Sequence, residues 1–274
     1  MKNQIFMLLL LSCVFSVYAQ DDEIYFADPT IFVENGKYYM TIGNGPKGFS
    51  ILESKDLKHW NTCDGSAYCM ILSPGTATFG TDMFWAPQIL KDNGNYYLTY
   101  SANEQTALAK SESLYGPYVG VTSNVQPIDG SEKNIDSFIF KDDDGTYYLY
   151  HVRFNHGNYI WVAEFDVEKG IVKSETLKQC LDYTEKWEKT DNNLWDPIME
   201  GPTVIKMDGV YYMFYSANHF LNKDYAVGYA TAKSPMGPWT KYEGNPIIHR
   251  NIVGENGSGH GDFFVGLDGK PYYV

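Results

Sequence analysis

Three observations predict an all-β fold, a five-bladed β-propeller whose fifth blade is incomplete at the C-terminus. A hairpin pattern returns five times, as DPTIFVENGKYYM from Asp28, APQILKDNGNYYL from Ala86, DSFIFKDDDGTYYL from Asp136, GPTVIKMDGVYYM from Gly201 and GDFFVGLDGKPYYV from Gly261. Each copy turns on Asn-Gly or Asp-Gly between apolar and aromatic runs, the strongest short-range hairpin signal, because Gly accepts the positive φ such turns need. Taking Gly36, Gly94, Gly145, Gly209 and Gly269 as register marks, the repeats are 58, 51, 64 and 60 residues long, the size of a four-stranded blade. The sequence ends within the second strand of the fifth repeat, which leaves that blade's outer strands unaccounted for.

The chain has 274 residues, 44% hydrophobic and 16% aromatic, enough for one domain with a substantial core and too few for two of this kind. Residues 1–19 carry a single Lys2, an apolar run from Ile5 to Leu11 and Val17-Tyr18-Ala19 before Gln20. That is the pattern of a secretory signal cleaved after Ala19, so the propeller domain is expected over residues 20–274, in a secreted or periplasmic protein. Leu10-Leu11-Ser12-Cys13 also has the form of a bacterial lipoprotein site, which would put a lipid on Cys13 and hold the protein at a membrane surface. No later stretch is long and apolar enough to span a bilayer. A net charge of -13 argues against nucleic acid and anionic membrane surfaces, whose phosphates require clustered Lys and Arg, and suits a neutral ligand. Of the later cysteines, either Cys63 and Cys69 pair in an oxidising compartment or they and Cys180 are buried thiols.

The first hairpin spans residues 24–42, with Asp28-Pro29 at the start of its inner strand, where Pro is tolerated. Residues 49–52 form the next strand, and 54–60 a turn anchored by Trp60. Phe84-Trp85-Ala86-Pro87 returns the chain to the channel, with Trp85 either core between blades or a sugar-stacking platform. Strands follow over 96–101 and 107–111, and Gly116-Pro117-Tyr118 closes this blade as Gly237-Pro238-Trp239 closes the fourth. Asp142-Asp143-Asp144-Gly145 reads as a solvated hairpin tip, since it lacks the long acidic spacing of an EF-hand loop. His151, Arg153 and His156 follow on or near the second strand, and the histidines read as structural. Residues 173–193 are charged and without alternation, an expected exposed connection around Trp187. Residues 226–232 are the third strand of blade four, and Gly257-Ser258-Gly259-His260-Gly261 leads into blade five.

The innermost strands of a propeller start on one face of the disc, so residues eight or nine before each register glycine should ring the channel mouth. That count selects Asp28, Asp136 and Glu200 as candidate catalytic acids. Blade two offers Ala86, and blade five Gly261 beside His260 and Asp262. Glu200, flanked by Met199, Gly201 and Pro202, stands at a partly buried strand start, where burial raises a carboxylate pKa as a general acid at neutral pH requires.

The stretches FADPTIF, SKDLKHW, FWAPQI, NIDSFIF, MEGPTVI, YATAKSPMGPW and GSGHG, in this order across residues 26–261, resemble glycoside hydrolase family 43. These are five-bladed propeller enzymes that cleave arabinose- and xylose-containing glycans. The resemblance implies an inverting glycosidase in which Asp28 is the general base, Glu200 the general acid, and Asp136 the residue that orients the acid and modulates its pKa. It implies no cofactor for the chemistry, and it places His260 on the propeller axis beside a structural calcium or other ion. Inversion needs an ionised and a protonated carboxyl on opposite sides of the sugar, roughly 6.5–9.5 Å apart, a separation that a propeller ring provides. A third acid close to Glu200, such as Asp136, would raise its pKa by like-charge interaction. Two other readings use the same scaffold. A retaining fructan-type hydrolase would make the first Asp a nucleophile, but its Asn-Asp-Pro, Arg-Asp-Pro and Glu-Cys motifs stand here as Ala27-Asp28-Pro29, Ile135-Asp136-Ser137 and Glu200-Gly201. A catalytically silent carbohydrate-binding propeller has no reason to keep three acids together.

Overall fold

The computed structural model describes residues 24, 26–43, 45, 47–63, 65, 69–75, 77–121, 127–129 and 133–274; the expected signal segment and Cys13 lie outside the described residues. The fold is an all-β propeller of antiparallel sheets. Blade one holds β1 (Thr30–Glu34), β2 (Lys37–Gly43), β3 (Phe49–Ser54) and β4 (Trp60–Thr62), with β5 (Met70–Leu72) also beside β3. Blade two holds β6 (Trp85–Asp92), β7 (Asn95–Ala102), β8 (Gln105–Ser111) and β9 (Val119–Gly120). Blade three holds β10 (Asn134–Lys141), β11 (Tyr147–Phe154), β12 (Asn158–Asp166) and β13 (Ile171–Val172), with β14 (Lys178–Gln179) also on β12. Blade four holds β15 (Met199–Met207), β16 (Val210–Ala217), β17 (Ala226–Ala232) and β18 (Thr240–Lys241). The fifth repeat contributes a two-stranded hairpin, β19 (Phe263–Val265) and β20 (Pro271–Tyr273), after a short helix α1 (Arg250–Val253).

Turn chemistry explains the hairpins. Asn35-Gly36, Asn93-Gly94 and Asp208-Gly209 all have positive φ at both residues, the two-residue turn whose twist matches the flanking strands. Blade three differs: Lys141 pairs with Tyr147, leaving five residues between the strands, and the Asp142 N–H donates to the Thr146 carbonyl. The fifth repeat uses the same longer turn, with Val265 paired to Pro271 and the Gly266 N–H donating to the Lys270 carbonyl.

Apolar clusters fill the spaces between neighbouring sheets, joining blades one and two around Phe49, Phe84 and Tyr100 and blades three and four around Tyr150, Met213 and Tyr215. A repeated polar staple crosses three blade junctions. An acid at the end of one hairpin takes a Lys and a Tyr from the next: Glu34 with Lys91 and Tyr96, Asp92 with Lys141 and Tyr147, and Asp142 with Lys206 and Tyr211. This revises the solvated-tip expectation, because only Asp143 and Asp144 face solvent while Asp142 is consumed by the staple. Residues 173–193 are exposed only in part, as at Tyr183 and Lys186, and are anchored in the core at Leu181, Trp187 and Glu188. Trp187 packs against the core of blades three and four, and Glu188 is fully buried, accepting from Tyr215 Oη at 2.8 Å and pairing with Lys241. The Glu188 charge is thus paired internally, a fact invisible to a test of alternation.

The final hairpin lies between blades one and four. Phe264 joins Ile31, Tyr38, Met40 and Ile42, Phe263 stacks on Phe214 at 5.4 Å, and the Leu267 N–H donates to Tyr38 Oη at 2.9 Å. Asp262 ties both neighbours, accepting from Thr30 Oγ1 of blade one at 2.5 Å and Thr203 Oγ1 of blade four at 3.0 Å. Cys63 and Cys69 form a disulfide with Cα atoms 5.7 Å apart, and Cys180 is unpaired.

Candidate active site

Asp28, Ala86, Asp136, Gly201 and His260 each head an inner strand with left-handed φ, at 53°, 46°, 55°, 58° and 54°. In blades two, three and four the residue opens a β-bulge, between Trp85 and Gln88, Ile135 and Phe138, and Glu200 and Thr203. Bulges re-aim side chains at strand ends, and holding a non-glycine residue in this region costs about 1–3 kcal/mol, a strain typical of functional sites. This five-fold equivalence corrects the count from the hairpin glycines. Because the turns of blade three and the fifth repeat are longer, Asp136 and His260 precede their glycines by nine residues, while Asp28, Ala86 and Gly201 precede theirs by eight. Glu200 therefore stands one residue ahead of the ring position, which Gly201 holds. In the fifth repeat the ring residue is His260, not Gly261.

The three acids nevertheless share one pocket of about 840 Å³, whose lining includes Asp28, Trp85, Asp136, Glu200, Tyr225 and His260. His260 Nδ1 lies 3.0 Å from Asp28 Oδ1 and 3.8 Å from Asp136 Oδ2. Asp136, Glu200 and His260 each bring a donor atom within 4.8 Å of the others. The surroundings fix these groups. Tyr225 Oη donates to Glu200 Oε1 at 2.8 Å, and the Gly201 N–H donates to Asp136 Oδ2 at 3.3 Å. The backbone N–H groups of Asp136 and His260 are held by Ser101 Oγ at 3.0 Å and Ser216 Oγ at 2.7 Å. A Cβ on Gly201 would lie 2.7 Å from His260 Cδ2, so glycine at this ring position is what admits the imidazole.

Burial drives the Glu200 carboxyl up to about 7; the Asp136 carboxylate adds to the rise, and His260 and the Tyr225 hydrogen bond hold it back. Burial also raises Asp136, against the opposing charge of His260. For His260, burial favours the neutral ring, but the carboxylates of Asp28, Asp136 and Glu200 outweigh it and bring the imidazole to about 9. A carboxyl that keeps its proton near neutrality thus sits beside an imidazolium and two more acids, the separation of roles that acid–base chemistry needs.

Trp85 lines the same pocket half-buried, its indole N–H buried without a partner. Tyr225 went unseen in the sequence, because it precedes the third strand of its blade and no repeat position marks it. The His260 side chain, anticipated beside an ion, is paired with Asp28. A separate cavity of about 30 Å³, lined by Thr30, Gln88, Thr203, His260 and Asp262 among others, has room for one water or small ion. Its carboxylate, hydroxyl and amide oxygens, and the negative field that raises His260, suit a cation held partly by water.

The model of glycosyl hydrolases family 43 matches residues 23–274. An endo-1,4-β-xylanase from Bacteroides thetaiotaomicron, known as a crystal structure, is 43% identical with a TM-score of 0.81, over 90% of this chain and 83% of that one. A β-D-galactofuranosidase of Aspergillus niger is 27% identical over 91% of this chain and 73% of its own length. A xylosidase/arabinosidase of Bacteroides ovatus is 26% identical over 84% of this chain and 80% of its own.

Proposed function

The chain belongs to glycosyl hydrolases family 43 and is a glycosidase, and we propose that it cleaves arabinose- or xylose-containing plant glycans with inversion, Glu200 acting as general acid and Asp28 as general base. The observation that carries the assignment is the buried Glu200 carboxyl, raised to about 7 in a pocket that also holds Asp28 and Asp136. The relatives named for xylan, xylosides and arabinosides support the substrate class.

In this mechanism Glu200 gives its proton to the glycosidic oxygen as the bond to the anomeric carbon breaks, and Asp28 takes a proton from the water that attacks the opposite face. The Tyr225 hydroxyl stays bonded to the carboxylate left on Glu200. Asp136 modulates Glu200 through its charge, and the His260 imidazolium holds Asp28 in place. Trp85 offers the sugar an apolar face at the pocket wall. A cation in the small cavity would be structural, held by the Asp262 carboxylate and water beside His260 and not by its ring, because the imidazolium that pairs with Asp28 has no lone pair to offer.

The same reading takes the domain as residues 20–274 and the β19–β20 hairpin as the inner half of a fifth blade, supported by the left-handed His260 at the matching position. It takes residues 1–19 as a secretory signal, or Cys13 as a lipid anchor, and a secreted or periplasmic location is supported by the Cys63–Cys69 disulfide. The test is leaving-group dependence. Glu200→Ala should lose activity on natural glycans by orders of magnitude yet keep much more on dinitrophenyl glycosides, whereas Asp28→Ala should be inactive on both. Proton NMR of the first-formed sugar should show the inverted anomer; a retained anomer, or a glycosyl adduct on Asp28, refutes the assignment and favours a retaining mechanism.

A further inference from the structure

Beside the catalytic pocket, on the rim of blades three and four, three rings are stacked in a row. Trp195 lies on His219 with centroids 5.2 Å apart, and His219 lies on Phe220 at 4.7 Å, each pair tilted by only 22°. Trp195 is 63% exposed and Phe220 59%, so the row keeps aromatic surface in water although its members are ordered against one another. Isolated exposed hydrophobics need no explanation, but a contiguous patch at the edge of a binding cleft marks a ligand surface.

The row continues the site already described. Phe220 and His219 line the catalytic pocket, while His219 and Trp195 together line two further hollows of about 490 and 370 Å³, the first of which shares Phe154, Asn158 and Ile198 with the catalytic pocket. The loops that present it are tied down. The Trp195 N–H donates to Asn193 Oδ1 at 2.9 Å, and its carbonyl accepts from Lys189 Nζ. The Leu221 N–H donates to His219 Nδ1 at 3.1 Å, which leaves that ring its proton on Nε2, and burial lowers its pKa. Flanking Asn155, Asp196, Asn192 and Asn222 supply hydrogen-bonding groups around the apolar faces, the combination a sugar ring, with its apolar faces and hydroxyl rim, can use.

We propose that Trp195, His219 and Phe220 form a preorganised platform that binds the leaving-group portion of a glycan several sugars long. Its sidedness rests on Glu200 being the acid. The group that protonates the departing oxygen must face the leaving sugars, and Trp195 and His219 stand on the loops before β15, which carries Glu200, and after β16, its paired neighbour.

The experiment compares the full chain with Trp195→Ala, Trp195→Phe and Phe220→Ala, with Met207→Ala, exposed beside the hairpin turn of blade four, as control. The quantity read is kcat/KM on linear xylo- and arabino-oligosaccharides, disaccharide to hexasaccharide, divided by kcat/KM on a nitrophenyl pentoside. For Trp195→Ala the hexasaccharide ratio should fall about tenfold, the value of one good aromatic contact. Trp195→Phe should recover part of the loss, and Met207→Ala should keep the ratio of the parent. Calorimetric titration of xylohexaose and arabinohexaose into the Glu200→Gln protein, with and without Trp195→Ala, reads the platform without turnover. Unaltered affinity for both hexaoses, or equal losses on oligosaccharide and nitrophenyl substrates, overturns the platform. If Glu200→Ala keeps full activity on natural glycans, the acid assignment and the sidedness fall, while the titration still decides whether the platform exists.

Discussion

Replacing Asp136 with Asn removes a charge while keeping the volume, and leaves an oxygen to accept the Gly201 N–H, which Asp136 Oδ2 now accepts at 3.3 Å. Asp136 and Glu200 bring carboxyl oxygens within 4.8 Å of each other. At an effective dielectric of about 20, unit charges at that separation repel by roughly 3 kcal/mol. With about 1.4 kcal/mol per pKa unit, a full charge on Asp136 would raise Glu200 by roughly two units. The His260 imidazolium, 3.8 Å from Asp136, neutralises part of that charge, and burial, the larger cause of the Glu200 shift, is untouched. The expected fall is therefore about one unit. Glu200 must hold its proton to act as an acid, so a lower pKa pulls the alkaline limb of the kcat profile toward lower pH. The assay is kcat against pH on a natural oligosaccharide and on a dinitrophenyl glycoside. The limb should move on the first substrate and stay on the second, whose leaving group departs unprotonated. An alkaline limb that stays put, or moves upward, on the oligosaccharide refutes the like-charge argument.

Tyr225→Phe should act in the opposite direction. Without the 2.8 Å hydrogen bond that stabilises ionised Glu200, the alkaline limb should rise by about one unit, since hydrogen bonds to charged groups contribute about 1.5–3 kcal/mol and the protonated acid retains part of the interaction; a downward shift in the same profiles would count against it. Asp262→Ala should destabilise the fold by about 3 kcal/mol, because it leaves the buried Thr30 and Thr203 hydroxyls without their acceptor and unties the last hairpin from blades one and four. Urea unfolding measures this, and a loss below about 0.5 kcal/mol would remove Asp262 from the closure of the ring. Gly201→Ala should lower both stability, by about 2 kcal/mol, and kcat, since Ala must adopt φ +58° and its Cβ would meet the His260 ring at 2.7 Å. Parent-like unfolding and kcat together would show that the ring has slack there.

The sequence alone determined the repeating hairpins, because Asn-Gly and Asp-Gly turns and the strands beside them are local: the φ preferences of two residues and an alternation of neighbours are enough to specify them. It also put Asp28, Asp136 and Glu200 forward, and all three line one pocket. Their equivalence was misjudged, because a hairpin glycine measures distance along the chain and the five-residue turn of blade three hides one residue of slip. Only the backbone, left-handed at Asp28, Ala86, Asp136, Gly201 and His260, reveals which positions correspond. The Asp28–His260 pair joins residues 232 apart in the chain. The Tyr225 hydrogen bond to Glu200 and the Trp195–His219–Phe220 row cross loops that carry no repeat signal. Contacts of this kind exist only once neighbouring blades have packed. The tertiary structure also set the protonation of the site, because the pKa shifts of Glu200 and His260 come from burial and from charges on other blades, and no property of a residue read in isolation contains its distance from solvent or from a distant carboxylate.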